Sequence, residues 1–320
     1  MNPNSPWRRR LFAFGTLLGG ALFVWQTVEA IRALGDSGFE VLSYGWIFAG
    51  AIGVVVVTFL QITAWRAIMR SLGVQLSWSA TIRGYMLPFV SRYIPGTVWG
   101  YLSRSHWMME RHQVPARTVN VGAMIEILAF LISAALVTGV LGALGQVVSI
   151  ASIGLVCGLA MLSGVVLTQF LSTRGGMVDG LFRRLRIEGW VRDITFKRVA
   201  VALPWHFGMW LGHGFVIGCL LSAVSRWDGA FLPIVAASFP LAWIGGFVVV
   251  VLPAGLGLRE YGIFFVLSQY AAISQLEAST VAVMSRVGVL FGEISFLLLA
   301  LAFEHNEGSQ KASTLRDQDV

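Results

Sequence analysis

Long apolar runs separated by short polar interruptions dominate this chain. Runs at Leu11–Ala33, Tyr44–Trp65, Val119–Leu144, Val147–Leu171, Val199–Val224 and Ala278–Phe303 would, as helices rising about 1.5 Å per residue, each cross roughly 30 Å of hydrocarbon. Two further stretches are apolar but broken. Trp78–His112 carries Arg83, Arg92, Arg104 and Arg111 around Pro95-Gly96, and Phe231–Gln275 is interrupted by Pro253-Ala254-Gly255-Leu256-Gly257, with Arg259 and Glu260 close behind. Proline removes a backbone donor and glycine frees the chain, so such backbone persists in a bilayer only where protein or a wet cavity covers it. Each broken stretch therefore reads as a re-entrant helical hairpin; a proline-kinked full span is the other solution for the second, giving a seven-span chain.

This pattern predicts an all-α polytopic transmembrane bundle with six full spans and two broken hairpins. A weak internal repeat refines it. Val121–Glu126 aligns with Val281–Arg286 at an offset of 160, and Pro95 corresponds to Pro253 at an offset of 158. Repeat one then covers about 44–144 and repeat two about 199–303, related by inversion, a recurring plan in membrane transporters. The remaining run, 11–33, is an extra N-terminal span within a single membrane domain, 1–303. The polar tail 304–320 reads as disordered. Gly15/Gly19, Gly154/Gly158, Gly208/Gly212, Gly214/Gly218 and Gly288/Gly292 have the spacing that lets membrane helices approach closely. With 36 glycines in the chain, that spacing implies packing and no more.

Composition narrows the class. Of 320 residues, 56% are hydrophobic and 12% charged, where a soluble domain carries about 25% charged residues. With a mean hydropathy of +0.75, this excludes disorder, an ordinary soluble enzyme and a disulfide scaffold. Cys157 and Cys219 lie inside apolar runs and read as packing residues. The net charge of +7 would suggest nucleic acid in a soluble protein, but here the arginines cluster between spans. Arg8, Arg9 and Arg10 precede the first run, and the Ser172–Arg198 loop holds Arg174, Arg183, Arg184, Arg186, Arg192, Lys197 and Arg198 against three acids. The positive-inside rule places these segments and the N-terminus in the cytoplasm, in a multi-pass protein of a cell membrane such as the bacterial inner membrane. No nucleic-acid partner is expected. The first run is longer than a signal-peptide core and lacks a convincing cleavage site, so it reads as an uncleaved span.

Ionisable groups inside the spans are the candidates for chemistry, because each costs at least about 2.5 kcal/mol at the membrane centre unless partnered. Glu126, Arg286 and Glu293 lie within apolar runs, and Arg259 and Glu260 follow the second break. Pairing of Glu126 or Glu260 with Arg259 or Arg286 would neutralise them and fix the repeats together. Alternatively, Arg259 and Arg286 meet an anionic group, with Glu126, Glu260 or Glu293 as counter-charge or proton carrier. The backbone around Pro95, Gly96, Pro253, Gly255 and Gly257 would add N–H groups and a positive helix end, which suit phosphate or carboxylate. Arg92 and Arg104 bracket the first break, where guanidinium forks suit a lipid phosphate; Trp107 and Arg111 fit an aromatic belt with a snorkelling arginine. His206 and His213 share a helix face but lie seven residues apart, and no HExxH, phosphate-binding loop or Ser/Cys nucleophile with an evident base occurs. Neither an enzyme nor a cofactor is expected.

These residues carry a resemblance. Pro253-Ala254-Gly255-Leu256-Gly257-Leu258-Arg259-Glu260 with the later Arg286 resembles the PGGxGxRE signature of the lysylphosphatidylglycerol synthetase transmembrane-region family. Arg92-Tyr93-Ile94-Pro95-Gly96-Thr97-Val98-Trp99, followed by Arg104 and Glu126, resembles its earlier motif. The likeness runs from about Gly45 to Phe303, with departures at Ala254 and Ile127. Members of that family look like lipid flippases, so the resemblance implies a protein that binds or translocates an anionic phospholipid or a lipid-linked glycan at a midplane Arg/Glu site. The competing expectation is a non-transporting membrane partner of a glycosyltransferase or envelope-lipid complex. Membrane lipids are the partners of the first reading, and membrane-associated glycosyltransferases are those of the second. A wet basic cavity at mid-depth would favour translocation, and a dry packed core the partner role.

Overall fold

The computed structural model describes residues 41–93, 98–174, 192–248 and 257–318, with residues 28, 32 and 35; only the backbone is described for 90, 92, 93, 98, 99, 171–174, 248 and 307–318. Nine α-helices and no strand occur among them: α1 (Tyr44–Ser71), α2 (Trp78–Met86), α3 (Val98–His112), α4 (Ala116–Leu144), α5 (Val148–Arg174), α6 (Phe196–Val224), α7 (Leu232–Val248), α8 (Leu258–Tyr270) and α9 (Gln275–Gln318). A 3-10 turn, Pro88–Tyr93, joins α2 towards α3.

Five helices are long and apolar enough to cross a membrane, at Tyr44–Ser71, Ala116–Leu144, Val148–Phe170, Phe196–Val224 and Gln275–Asn306. They match five of the six runs read from the sequence; the sixth, 11–33, lies outside the described residues apart from Val28 and Arg32. α6 is the central helix, with 67% of its apolar window buried, whereas the α5 window is 22% buried and stands at the rim. Exposed Val156, Leu159, Val166 and Leu167 on α5, with Phe48, Ile52 and Val56 on α1, form the apolar outside expected of helices solvated by lipid.

The two broken stretches each become a pair of short helices. Gly122 of α4 packs against Ile68, Met69 and Leu72, so α1 ends where α4 begins, and α2–α3 leave and return to that end of the bundle. At the opposite end, Ala223 accepts hydrogen bonds from the N–H groups of Leu42 and Ser43, and Ser225 lies near the Glu277 carboxylate. The pair α7–α8 leaves and returns there. Gly262 of α8 rests on Ala242 of α7, which keeps that pair closed along its length.

Without a strong hydrophobic drive between helices in lipid, close packing must hold them. Gly154 of α5 meets the backbone of Gly139 on α4, and Gly292 of α9 would place a Cβ 2.6 Å from Val54 and 2.7 Å from Thr58 on α1. The Gly154/Gly158 and Gly288/Gly292 spacings therefore mark helix contacts.

One boundary differs from the sequence reading. The backbone of α9 continues helical to Gln318, beyond Glu304, where a disordered tail is expected. Glu304 holds Arg83 and Arg111 at 2.9 Å each, tying the helix down at the start of the polar segment, and Lys, Ala, Leu, Arg and Gln in that segment are good helix formers.

Gly154→Ala should lower stability by about 1–3 kcal/mol through overpacking against α4. Gly164→Ala on the same helix, with open space around it, should stay within about 0.5 kcal/mol of the parent; detergent-phase thermal unfolding of the two variants measures the difference.

Candidate functional site

Charge buried in the bundle has found partners, though not all those the sequence suggests. Arg104 of α3 contacts Glu126 of α4 at 2.6 Å, with both side chains less than a tenth exposed. Tyr85 of α2 donates to the other Glu126 oxygen at 2.8 Å. The Arg104 guanidinium also lies 4.2 Å from the Tyr85 ring, 5.3 Å from Trp65 and 5.6 Å from Tyr101. An aromatic box thus replaces the hydration of the guanidinium while the carboxylate supplies its charge. Glu126 therefore pairs with Arg104, correcting the expected pairing with Arg259 or Arg286. The expectation failed because sequence distance from the Pro95 break said nothing about depth, and α3 carries Arg104 inward against α4.

The second ion pair is looser. Arg286 of α9 approaches Glu260 of α8 at 3.7 Å, with Glu260 23% exposed. This is one of the pairings read from the sequence. The same carboxylate accepts the Gly257 N–H at 2.8 Å. Gly257 has φ +81°, a left-handed conformation that glycine adopts without Cβ strain, and Glu260 reaches back from the first turn to cap α8.

Arg259 stands in that first turn, where the helix dipole disfavours a cation. Its guanidinium lies 3.4 Å over the Trp243 ring of α7. A Cβ on Gly246 would fall 2.8 Å from Arg259 Cγ, so the bare glycine makes room for the arginine stem. A stacking ring and a missing side chain accommodate the arginine there.

These elements enclose a cleft of about 850 Å³, counting its open mouth, lined by Arg104, Glu126 and Arg259 among Tyr85, Phe89, Tyr101, Phe130, Trp243 and Phe247. Among the described residues its charged lining is two arginines and one glutamate, a sum of +1. A smaller cavity on the far side of Phe130 and Trp243 holds Glu293, His213, Gln61 and Thr58. A third holds Glu260, Arg286 and Ser285, and shares Arg259 with the main cleft.

Of the candidates, Arg104, Glu126 and Arg259 come together; Glu260 and Arg286 lie next door, and Glu293 faces its own chamber. Gly257 starts α8. Arg92 is described only in its backbone, within the 3-10 turn, and Pro95, Gly96, Pro253 and Gly255 lie outside the described residues. Tyr85, Gln61 and Trp243 were missed. A lone amide in an apolar span (Gln61) and a tryptophan ten residues before a Pro-Gly break (Trp243) were the available signals. His206 keeps Nδ1 3.0 Å from the Ala202 carbonyl, and His213 stacks on Phe239 at 3.9 Å.

Arg104→Ala, which strands Glu126 in the interior, should cost about 3–5 kcal/mol, and the double change Arg104→Met/Glu126→Met should recover most of that loss. Arg286→Ala should cost less than Arg104→Ala, because the Glu260 it leaves behind is 23% exposed and keeps its bond from the Gly257 N–H. Thermal unfolding in detergent, compared across the three variants, tests this ranking.

No curated protein and no solved structure matches the chain. The family model described as lysylphosphatidylglycerol synthase TM region matches residues 12–292, a span that takes in both broken stretches and the cleft's Arg104, Glu126 and Arg259. The chain is an integral membrane protein of the lysylphosphatidylglycerol synthase transmembrane-region family.

Proposed function

We propose that this protein binds an anionic lipid in the Arg104–Glu126–Arg259 cleft and carries it between leaflets. The observation that supports the reading is the composition of that cleft. Its charged lining, two arginines and one glutamate among the described residues, stands in a wall otherwise rich in aromatic and aliphatic groups, so it suits a phosphate headgroup with apolar chains attached. Arg104 and Glu126 meet at 2.6 Å, and Arg259 is presented on a tryptophan face. A phosphodiester carrying one negative charge complements such a lining, and an arginine fork gives it two parallel hydrogen bonds. A dry packed core would instead have favoured a membrane partner of a glycosyltransferase. No bond-making step is assigned; the partners are membrane phospholipids or lipid-linked sugars of one negative charge.

In this reading α2–α3 and α7–α8 are re-entrant hairpins entering from opposite sides, and the two halves are inverted repeats. Two ion pairs support it. Glu126 on a long helix meets Arg104 on the first hairpin, and Arg286, at the equivalent position, meets Glu260 on the second, with the signs exchanged. The N-terminus and the basic segment before α6 face the cytoplasm of a bacterial inner membrane.

Purified protein in liposomes should accelerate transfer of fluorescent phosphatidylglycerol, read by dithionite quenching, over protein-free vesicles. Arg259→Gln should slow it by about tenfold or more, the loss expected for one charge-assisted contact to phosphate. Transfer by Arg259→Gln at the parent rate, with a parent-like elution profile, would refute the assignment. A cysteine at Gln310 should label from the cytoplasmic side alone; periplasmic labelling would overturn the two-hairpin topology.

A further inference from the structure

The chamber behind Phe130 and Trp243 is more polar than packing alone requires. Gln61 lies within the long apolar helix α1, and His213 of α6 is 9% exposed; both line the chamber, together with Thr58 of α1. Among the described residues, neither the Gln61 amide nor the His213 ring makes a hydrogen bond. A polar group in an apolar bundle costs free energy unless something serves it. Neighbouring side chains show the ordinary solutions. His206, two turns earlier on α6, reaches the Ala202 carbonyl through Nδ1. Thr58 donates to the Val54 carbonyl at 2.9 Å, which leaves its oxygen able to accept. Unlike Trp65 Nε1 and His206 Nε2, which packing seals off, polar atoms of Gln61 and His213 stay open to the cavities they line. Glu293, which also lines the chamber, has a partner of its own.

Gln61, Phe130 and Trp243 line both this chamber and the lipid cleft, so the two cavities share a wall. Trp243 carries the Arg259 guanidinium on its ring at 3.4 Å. We infer that the chamber receives the neutral hydroxyl groups of the lipid headgroup, with Gln61 and His213 as the residues that read them. The inference rests on the lipid-binding reading, which puts the phosphate beside Arg259 and so brings the group esterified beyond it against the shared wall.

The polar inventory fits hydroxyls. A primary amide offers two donors and an acceptor, a neutral imidazole one of each, and the Thr58 oxygen an acceptor. A hydroxyl both donates and accepts, so each of these groups finds a match in it, and Gln61 and His213 need not touch to serve hydroxyls on neighbouring carbons. The carbon side of a polyol is apolar, and the chamber offers it aromatic surface: Phe130 stands edge-on to Trp210 at 4.5 Å and to Trp243 at 4.8 Å, and all three rings line it. An alkyl headgroup of the same size would strip water from the amide and the imidazole and return no hydrogen bond. That asymmetry is how a site built for a hydroxyl rejects the analogue lacking it. Glycerol and sugar headgroups share the chemistry and differ in size.

Native mass spectrometry of the full chain in detergent tests this, with equimolar pairs of lipids of identical acyl chains. Phosphatidylpropanol is the reference: it has the same singly charged phosphodiester and a propyl group where phosphatidylglycerol carries glycerol. The parent should retain phosphatidylglycerol over phosphatidylpropanol by about tenfold or more, the loss expected when a buried polar group goes unserved. Phosphatidylinositol, run against the same reference, presents the hydroxyls on a ring. Preference for phosphatidylglycerol alone supports a glycerol-sized occupant, and preference for phosphatidylinositol supports a sugar-sized one. In Gln61→Leu and in His213→Phe, which keeps a ring against Phe239, the preference should fall towards one, with elution profiles like the parent's. Equal retention of all three lipids by the parent overturns the inference and leaves the anionic-lipid reading standing. A preference that survives unchanged in both variants overturns the assignment to this chamber. If the parent retains none of the three, the lipid reading falls and this inference with it.

Discussion

The contact between Arg104 and Glu126 is the constraint around which the rest of the interior is arranged. Two ions of opposite sign, each less than a tenth exposed, survive in an apolar bundle only if they meet at hydrogen-bonding distance; the Arg104 Nε–H, buried without an acceptor among the described residues, is left to the surrounding rings. That requirement fixes α3 against α4, draws Tyr85 of α2 onto the same carboxylate, and brings Trp65 of α1 over the guanidinium. Four helices are thereby registered by one pair of charges. The cleft is the space left on the open side of that pair, and its aromatic lining follows from the rings needed to shield the arginine.

The Glu260–Arg286 contact does the same at the other broken stretch with less rigour. It is longer and wetter, and its carboxylate is shared with the backbone of Gly257. One hairpin-like pair is thus locked by a tight, buried bond and the other held by a loose one. Arg259, between the two, lies over the Trp243 ring.

Most of the fold was legible in the sequence because membrane spans are written in composition. Apolar length alone located α1, α4, α5, α6 and α9, and each proline–glycine break falls between two of the shorter helices, α2 and α3 or α7 and α8. The charged candidates were legible for the same reason, since a glutamate or arginine in an apolar run stands out. Their pairing was not. Glu126 was matched to arginines in the distant half because an internal repeat gives correspondence between positions, not contact between them. Trp243 escaped notice because an aromatic in an apolar helix looks like any other packing residue until the cation on its face is seen. The helical continuation of α9 was hidden by polar composition, which signals exposure as readily as disorder.

Glu304 carries a consequence of its own. It bridges Arg83 of α2 and Arg111 of α3 at 2.9 Å each, at 28% exposure, where the bundle reaches water. A carboxylate shared by two guanidiniums in that setting is a clasp whose strength varies with ionic strength, because mobile ions screen it far more than they screen the dry pair beneath. The grip of the last helix on the first short-helix pair is therefore adjustable from the aqueous side. Arg111, at 57% exposure, is the open arm of that clasp, and screening loosens it before the nearly buried Arg83.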